Sequence, residues 1–451
     1  MCIRDRDRRY GYALKPGTTL LIVGHPGAGK TTFAATICYN NAENGIPCLY
    51  VSLGEHKQRF VEQMKTFNMD FTKLERKGLF KFVRIPHVVE GTIAEAFIGQ
   101  LMTWIEELKA GVIIIDSITP ILEGIERRPK ARSFLQSVLY EIPWNIRGLL
   151  VLVADLPYGR QYMSLGDLEF VADIVLYLKH SVIRSLLIRM MELRKIRGAP
   201  ITVAEMPFRI ESMYGIRVAI PPLLEEAWLP HRLERYMFGW NILDKTVGGI
   251  YRGDSILASF PPDARSPAYL ITPLALLAIN NDLNIGIISY RYPGKEIEHV
   301  IRINTENIGC DPDVIMDKIV FITAINPMGY SLEELFNFEL EHISRQNPDL
   351  LIFLGEELIA LMHGRRIHDY ISYRYNEILR LKTMGIATIR VISYISKHFY
   401  RINAAISDVV YKIFFEKEQD KLVPYVKIWR RGADPVIISG NEILKCFKRR
   451  M

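Results

Sequence analysis

The sequence predicts an α/β fold built as two tandem domains, each a mostly parallel sheet flanked by helices. Three observations predict it. Near the start, an apolar strand runs into a glycine-rich loop and then into a helical stretch. The same order of strands and helices returns in the second half of the chain. A length of 451 residues also exceeds what one ordinary core holds, so two domains are the natural division.

The first element is the run Thr19-Leu20-Leu21-Ile22-Val23, a buried strand by its apolar character. Gly24-His25-Pro26-Gly27-Ala28-Gly29-Lys30-Thr31 follows and fits the phosphate-loop pattern G-x-x-x-x-G-K-[ST]. The stretch from Thr32 to Cys38 continues as a helix that stops near Gly45-Ile46-Pro47. Strand, loop and helix N-terminus together make a nest of backbone N–H groups for phosphate. Lys30 can reach the β- and γ-phosphates as a point charge, and the Thr31 hydroxyl can take a Mg²⁺ position. His25, Pro26, Ala28 and Thr32 complete the candidate cradle with the three glycines. A chance match in a glycine-rich turn is the competing reading, and the flanking strand and helix speak against it.

The next strand, Leu49 to Ser52, is followed by Glu55. A carboxylate there can face a γ-phosphate and activate water, or it can simply favour a helix start. Gly111-Val112-Ile113-Ile114-Ile115-Asp116-Ser117 is a strand ending in a carboxylate that can orient Mg²⁺. A turn aspartate capping the next segment is its alternative. In Leu193-Arg194-Lys195-Ile196-Arg197-Gly198, alternation puts Lys195 and Arg197 on one strand face. Two such cations can clamp phosphoryl charge, often across a subunit interface, or mark an exposed basic edge. The basic loop Glu126 to Arg132 has no interleaved aromatics for base stacking and is expected to be a solvated surface.

The second half echoes the first. Gly17 to Val23 pairs with Gly253 to Ser259, Val112 to Ile115 with Leu351 to Leu354, and Arg197-Gly198 with Arg431-Gly432. The expected domains are residues 1–215 and 238–451, joined by a proline-containing linker over 216–237. The charged string Met1 to Arg9 has no counterpart downstream. It is expected to replace a missing native start and is set aside. Counted from Gly253, the second loop reads Phe260-Pro261-Pro262-Asp263-Ala264-Arg265-Ser266-Pro267. It has lost every glycine, and Ser266 faces the Lys30 position. Gly355 is expected opposite Asp116, and Tyr292 near the place of Glu55. The second domain therefore reads as a copy that does not bind nucleotide.

A net charge of +7 permits a polyanionic partner without establishing one. Cys2, Cys38, Cys48, Cys310 and Cys446 form no close-spaced ligand pattern, which fits reduced thiols in a cytoplasmic protein. No apolar run is long enough to span a membrane.

Taken in order and spacing, these motifs resemble the KaiC-like proteins of the RecA/RadA superfamily of ATPases. The match rests on Gly24 to Thr31, Tyr50-Val51-Ser52 with Glu55, Ile115-Asp116-Ser117, Phe170 to Asp173, and Lys195 to Ala199 with Pro207-Phe208. The second half adds Leu243-Asp244-Lys245, Gly248-Gly249 and Arg252-Gly253. The resemblance implies two tandem RecA-like P-loop NTPase domains, ATP with Mg²⁺ as cofactors, and a homo-oligomer, commonly a hexameric ring with ATP between subunits. It implies that Lys195 and Arg197 reach the neighbour's γ-phosphate, and that Glu55 is one of a catalytic acidic pair. Gly54 stands at the partner position, so hydrolysis is expected to be slow. The expected function is an ATP-driven signalling or assembly switch with an unidentified protein partner. A non-hydrolysing ATP-binding switch is one alternative. A DNA-dependent ATPase is another, with no helix-turn-helix, zinc pattern or aromatic-basic platform to support it.

Overall fold

Strands that are apolar at every position must be covered on both faces, and the central strands of this chain are. A computed structural model describes residues 15–85, 93–125, 129–157, 168–183, 186–201, 204–212, 215–218, 234–262, 277–307, 311–363, 367–418 and 421–440. The chain divides into two units, Met1–Ile220 and Pro221–Met451. Among the described residues, no helix is long and apolar enough to cross a membrane.

The first unit carries β1 (Thr18–Gly24), β2 (Cys48–Ser52), β3 (Phe80–Arg84), β4 (Val112–Asp116), β5 (Leu149–Asp155), β6 (Ile174–Ile183), β7 (Leu186–Ile196), β8 (Glu205–Glu211) and β9 (Gly215–Val218). They form one sheet in the order β3-β2-β4-β5-β1-β6-β7-β8-β9. Neighbours run parallel from β3 to β6, and antiparallel from there to β9. Alternation sends Leu20 and Ile22 into one core, where Phe33 and Ile37 of the helix Lys30–Glu43 meet them. Leu21 and Val23 enter the other, with Leu101 and Ile105 of the helix Ile93–Leu108. Each such fully buried aliphatic side chain contributes about 2 kcal/mol. The C-terminal end of β1 thus opens in mid-sheet, between β5 and β6.

The second unit has a two-stranded ribbon, β10 (Arg235–Tyr236) with β11 (Ile250–Tyr251), and one larger sheet. The sheet's strands are β12 (Ser255–Phe260), β13 (Ile285–Ser289), β14 (Ile319–Ala324), β15 (Leu350–Leu354), β16 (Ala387–Ser393), β17 (Val409–Glu418), β18 (Lys421–Arg430) and β19 (Val436–Ser439). Their order, β14-β13-β15-β16-β12-β17-β18-β19, matches the first sheet strand for strand up to its last member. The small contacts repeat as well. Asp173 Oδ2 accepts from Thr19 N, and Asp408 Oδ2 accepts from Ser255 N, each at 2.9 Å.

One face of the second unit buries charge. Arg374 pairs with Glu339 at 3.2 Å and also with Glu356 and Glu377. Its guanidinium lies over the Phe336 and Phe353 rings, 4.5 and 4.4 Å from their centroids. Arg390 donates to Asn403 Oδ1 and Ser407 Oγ, each at 2.6 Å. Arg291, at the edge, reaches Glu357 at 2.8 Å. Burial pushes the Glu377 carboxyl well above the usual carboxylate range, and it raises Glu339 too.

Candidate functional site

The loop after β1 gets its shape from two glycines. Gly24 lies where a Cβ would sit 2.6 Å from the Leu178 carbonyl oxygen of β6. Gly29 has φ +97°, and its Cβ would meet Ile210 Cδ1 at 2.7 Å. The helix Lys30–Glu43 begins directly after it, with no side-chain cap and no acidic residue in its first turn. An N-terminus left so keeps its N–H groups and its positive dipole end for an external anion. Above Gly27 the direction of a Cβ is open for at least 4 Å. Ala28 is buried and donates to the His25 carbonyl (3.1 Å), while Pro26 is exposed. His25 Nδ1 donates to Leu156 O at 3.0 Å, which ties the loop to the end of β5. Thr32 sits half-buried in the first helical turn, its carbonyl accepting from Thr36 Oγ1.

Lys30 is 7 % exposed. Its ammonium donates to the His25 carbonyl at 3.1 Å and pairs with Asp155 Oδ1 at 2.9 Å. Asp116, at the end of β4, accepts from Tyr50 Oη at 2.7 Å, with the Thr31 hydroxyl beside it. Burial raises the Asp116 pKa most, and Asp155 adds to the rise; Tyr50, Thr31 and Lys30 oppose it. Glu55 is half-buried, its N–H donating to Ser52 Oγ at 2.9 Å. Burial first, then the Asp116 charge, raise its pKa, and Arg59, 3.8 Å away, pulls the other way. So the structure brings Lys30, Thr31, Asp116 and Glu55 to one end of the sheet.

Lys195 and Arg197 lie elsewhere in the unit. Lys195 pairs in register with Val175, and Val175 with Leu21, three residues before Gly24. That is roughly 10 Å along the sheet from the loop. Both cations turn to the short helix Leu168–Val171. Lys195 Nζ donates to Glu169 O at 2.6 Å. Arg197 donates to Phe170 O at 2.8 Å and to Asp173 Oδ1 at 3.1 Å. Burial, and then Arg197, lower the Lys195 pKa. Residues 126–128 of the basic loop lie outside the described residues.

Sequence reasoning missed Asp155. The sheet order puts β5 beside β1, with Asp155 level with Gly24, so its carboxylate meets Lys30 directly. The signal was present, because Leu149–Asp155 is an apolar strand ending in a carboxylate, like Val112–Asp116.

In the second unit the registers identify the equivalent places. Tyr292 N donates to Ser289 Oγ at 2.9 Å, as Glu55 N does to Ser52 Oγ. The position of Asp116, level with Ser52, is taken by Leu354, level with Ser289. This corrects the expectation of Gly355 by one residue. Ser393 pairs with Phe260 as Asp155 pairs with Gly24. Trp429, opposite Val410, stands where Lys195 stands opposite Val175. Asp263, Ala264, Arg265, Ser266 and Pro267 of the second loop lie outside the described residues.

Comparison with known proteins bears on the same region. Residues 4–222 match the family described as ATPase: KaiC. The circadian clock protein KaiC2 of Synechocystis sp. is 26 % identical over 344 residues, 73 % of this chain and 58 % of that protein. KaiC3 of the same organism is 28 % identical over 254 residues, 54 % of this chain and 50 % of that protein. A UPF0273 protein of Methanopyrus kandleri is 26 % identical over 215 residues, 44 % of this chain and 82 % of that protein. The chain thus spans a little over half the length of the KaiC2 relative.

Proposed function

Because its first unit is a KaiC-family ATPase domain of the RecA-like superfamily, we propose that this chain binds Mg-ATP at the loop Gly24 to Thr32 and hydrolyses it slowly. The nucleotide state then acts as a signal that sets assembly or partner binding. The observation that carries the reading is the uncapped helix N-terminus with the buried Lys30 at its mouth. The residues fit the cofactor: backbone N–H groups and Lys30 for the phosphates, the Thr31 hydroxyl and Asp116 for Mg²⁺. The metal supplies positive charge against the phosphate oxygens.

Glu55 takes the part of the general base. Its raised pKa makes it a better proton acceptor than an ordinary surface glutamate. With Gly54 beside it, one carboxylate does the work that two share in the resembling family, and slow turnover follows. Lys195 and Arg197 point away from their own loop, which suits them to a neighbouring copy's nucleotide in a homo-oligomer, a hexamer by resemblance. The second unit serves as a scaffold or partner surface, since Tyr292, Leu354 and Ser393 replace the three carboxylates of the first. The buried free thiols Cys38 and Cys48 suit a reducing cytoplasm.

The pairing of Glu55 with Arg59 favours a second reading, in which ATP is bound and not turned over. Phosphate release by the wild type and by Glu55→Gln, at matched ATP occupancy, separates the two. Hydrolysis through Glu55 gives a drop of about a hundredfold or more. Equal release from both proteins establishes the non-hydrolysing switch.

A further inference from the structure

We propose that Asp155 is a positioning residue that makes nucleotide affinity depend on a divalent cation. It holds the Lys30 ammonium in the nucleotide-free chain and opposes a polyphosphate that arrives without metal. The inference rests on the reading of the loop as an ATP site.

The geometry is specific. Asp155 is held at the mouth of the loop by its own backbone: its N–H donates to Thr119 Oγ1 at 2.8 Å, and the following Leu156 N–H donates to Gly24 O at 3.0 Å. Its Oδ2 accepts from Ser117 Oγ at 2.7 Å, which leaves Oδ1 for Lys30 at 2.9 Å. Lys30 also folds back on the His25 carbonyl inside its own loop. A phosphate entering the loop must therefore take the ammonium away from two protein acceptors. Once Lys30 has turned to phosphate, the Asp155 carboxylate faces the bound polyanion with no cation of its own.

Metal-free ATP would then meet two penalties, a broken ion pair and a like charge. Magnesium-bound ATP would meet neither in full, because the accompanying cation offsets the Asp155 charge. The neighbouring Asp116 sharpens the effect, as its carboxylate already feels that of Asp155. The second unit is consistent with this. Where the acidic places of the site are lost, the Asp155 place is lost too, and Ser393 fills it.

The test is calorimetric titration of the intact chain with ATP, once in excess EDTA and once in excess MgCl₂. It is run on the wild type, Asp155→Asn and Asp155→Ser, each first checked for cooperative thermal unfolding. In the variants, metal-free ATP should bind about tenfold more tightly than to the wild type. The ratio of the two dissociation constants should shrink by the same factor. The serine variant copies the second unit's own residue, so it supplies the readout if the asparagine variant does not fold. An unchanged ratio overturns the inference and leaves the ATP-site reading intact. Weaker binding with magnesium and no gain in EDTA makes Asp155 a plain metal ligand and also overturns it. Absence of ATP binding by the wild type in both buffers removes the ATP-site reading and the inference with it.

Discussion

Replacing Glu377 by Gln should flatten the pH dependence of the second unit's stability. The carboxylates of Glu339, Glu356, Glu357 and Glu377 are all buried in that unit. Facing them are the buried Arg374 and Arg390, with Arg291 reaching in from the edge. Tyr290 and Tyr370 also border the cluster and stay neutral, since burial raises both. Among the described residues one negative charge is in excess, and a dry core holds a net charge only at a cost of several kcal/mol. A proton on Glu377 removes the excess. Neither Glu339 Oε1 nor Glu377 Oε1 finds a donor among the described residues, a gap that one shared proton fills. An unfolded glutamate titrates near about 4.3. The folded value is raised, so this proton stabilises the fold fully below that pH, and the contribution is lost as pH rises toward the folded value. While only the unfolded chain titrates, the slope is about 1.4 kcal/mol per pH unit. Against a total of about 5–15 kcal/mol, that is a large fraction. Urea unfolding at a series of pH values from about 4.3 upward, read by hydrogen exchange in peptides spanning β15 and β16, reports on this unit alone. Glu377→Gln replaces the titrating proton by a permanent amide hydrogen. Equal slopes in wild type and variant would refute the reasoning.

Two other outcomes follow from the first unit. Gly24→Ala places a methyl 2.6 Å from the Leu178 carbonyl, so β1 and β6 must part. Thermal unfolding should show a loss of about 1–3 kcal/mol, and no loss would mean that the strands are not packed this closely. Arg197→Ala should leave ATP affinity within about twofold, because Arg197 is level with Asp173 and so with Thr19, roughly 16 Å along the sheet from its own loop. ATP turnover by the assembled protein should fall at least about tenfold. A parallel loss of affinity in the dissociated chain would place Arg197 in its own site.

The parts of the site legible in the sequence are those carried by local pattern. The loop from Gly24 to Thr32 needs only its adjoining strand and helix, and Asp116 is announced by the apolar run before it. Asp155 carries the same announcement. Its meeting with Lys30, however, depends on β5 lying between β4 and β1, which is a property of sheet order and not of spacing. The misplacement of Gly355 has a related cause. Strands buried on both faces lack the alternation that pins register, so Val112–Asp116 and Leu350–Leu354 can be slid by one residue without penalty in pattern. The charge cluster was hidden for a third reason. Glu339, Arg374 and Glu377 sit in helices rich in charge, where a solvated face is the ordinary outcome, and only packing of one helix on another takes them out of water.

The two units show which features of a shared fold repeat and which do not. Sheet order, the Asp173 and Asp408 anchors, and the serine that accepts from the residue at the Glu55 place are all retained, because each secures backbone that the core needs. The carboxylates are not retained, because a buried one such as Asp116 pays its desolvation only where a hydroxyl, a lysine or a bound cation repays it. With no lysine established beside them, Leu354 and Ser393 cost less. Buried polar groups in the second unit gather instead around Arg374 and Arg390, where most of them pair with one another. In the first unit the helix N-terminus and the Lys30–Asp155 pair remain poised toward something from outside. That difference, an uncapped helix N-terminus with a buried lysine in the first unit and a closed cluster of charges in the second, is the physical ground for the proposal that nucleotide binds to the first unit.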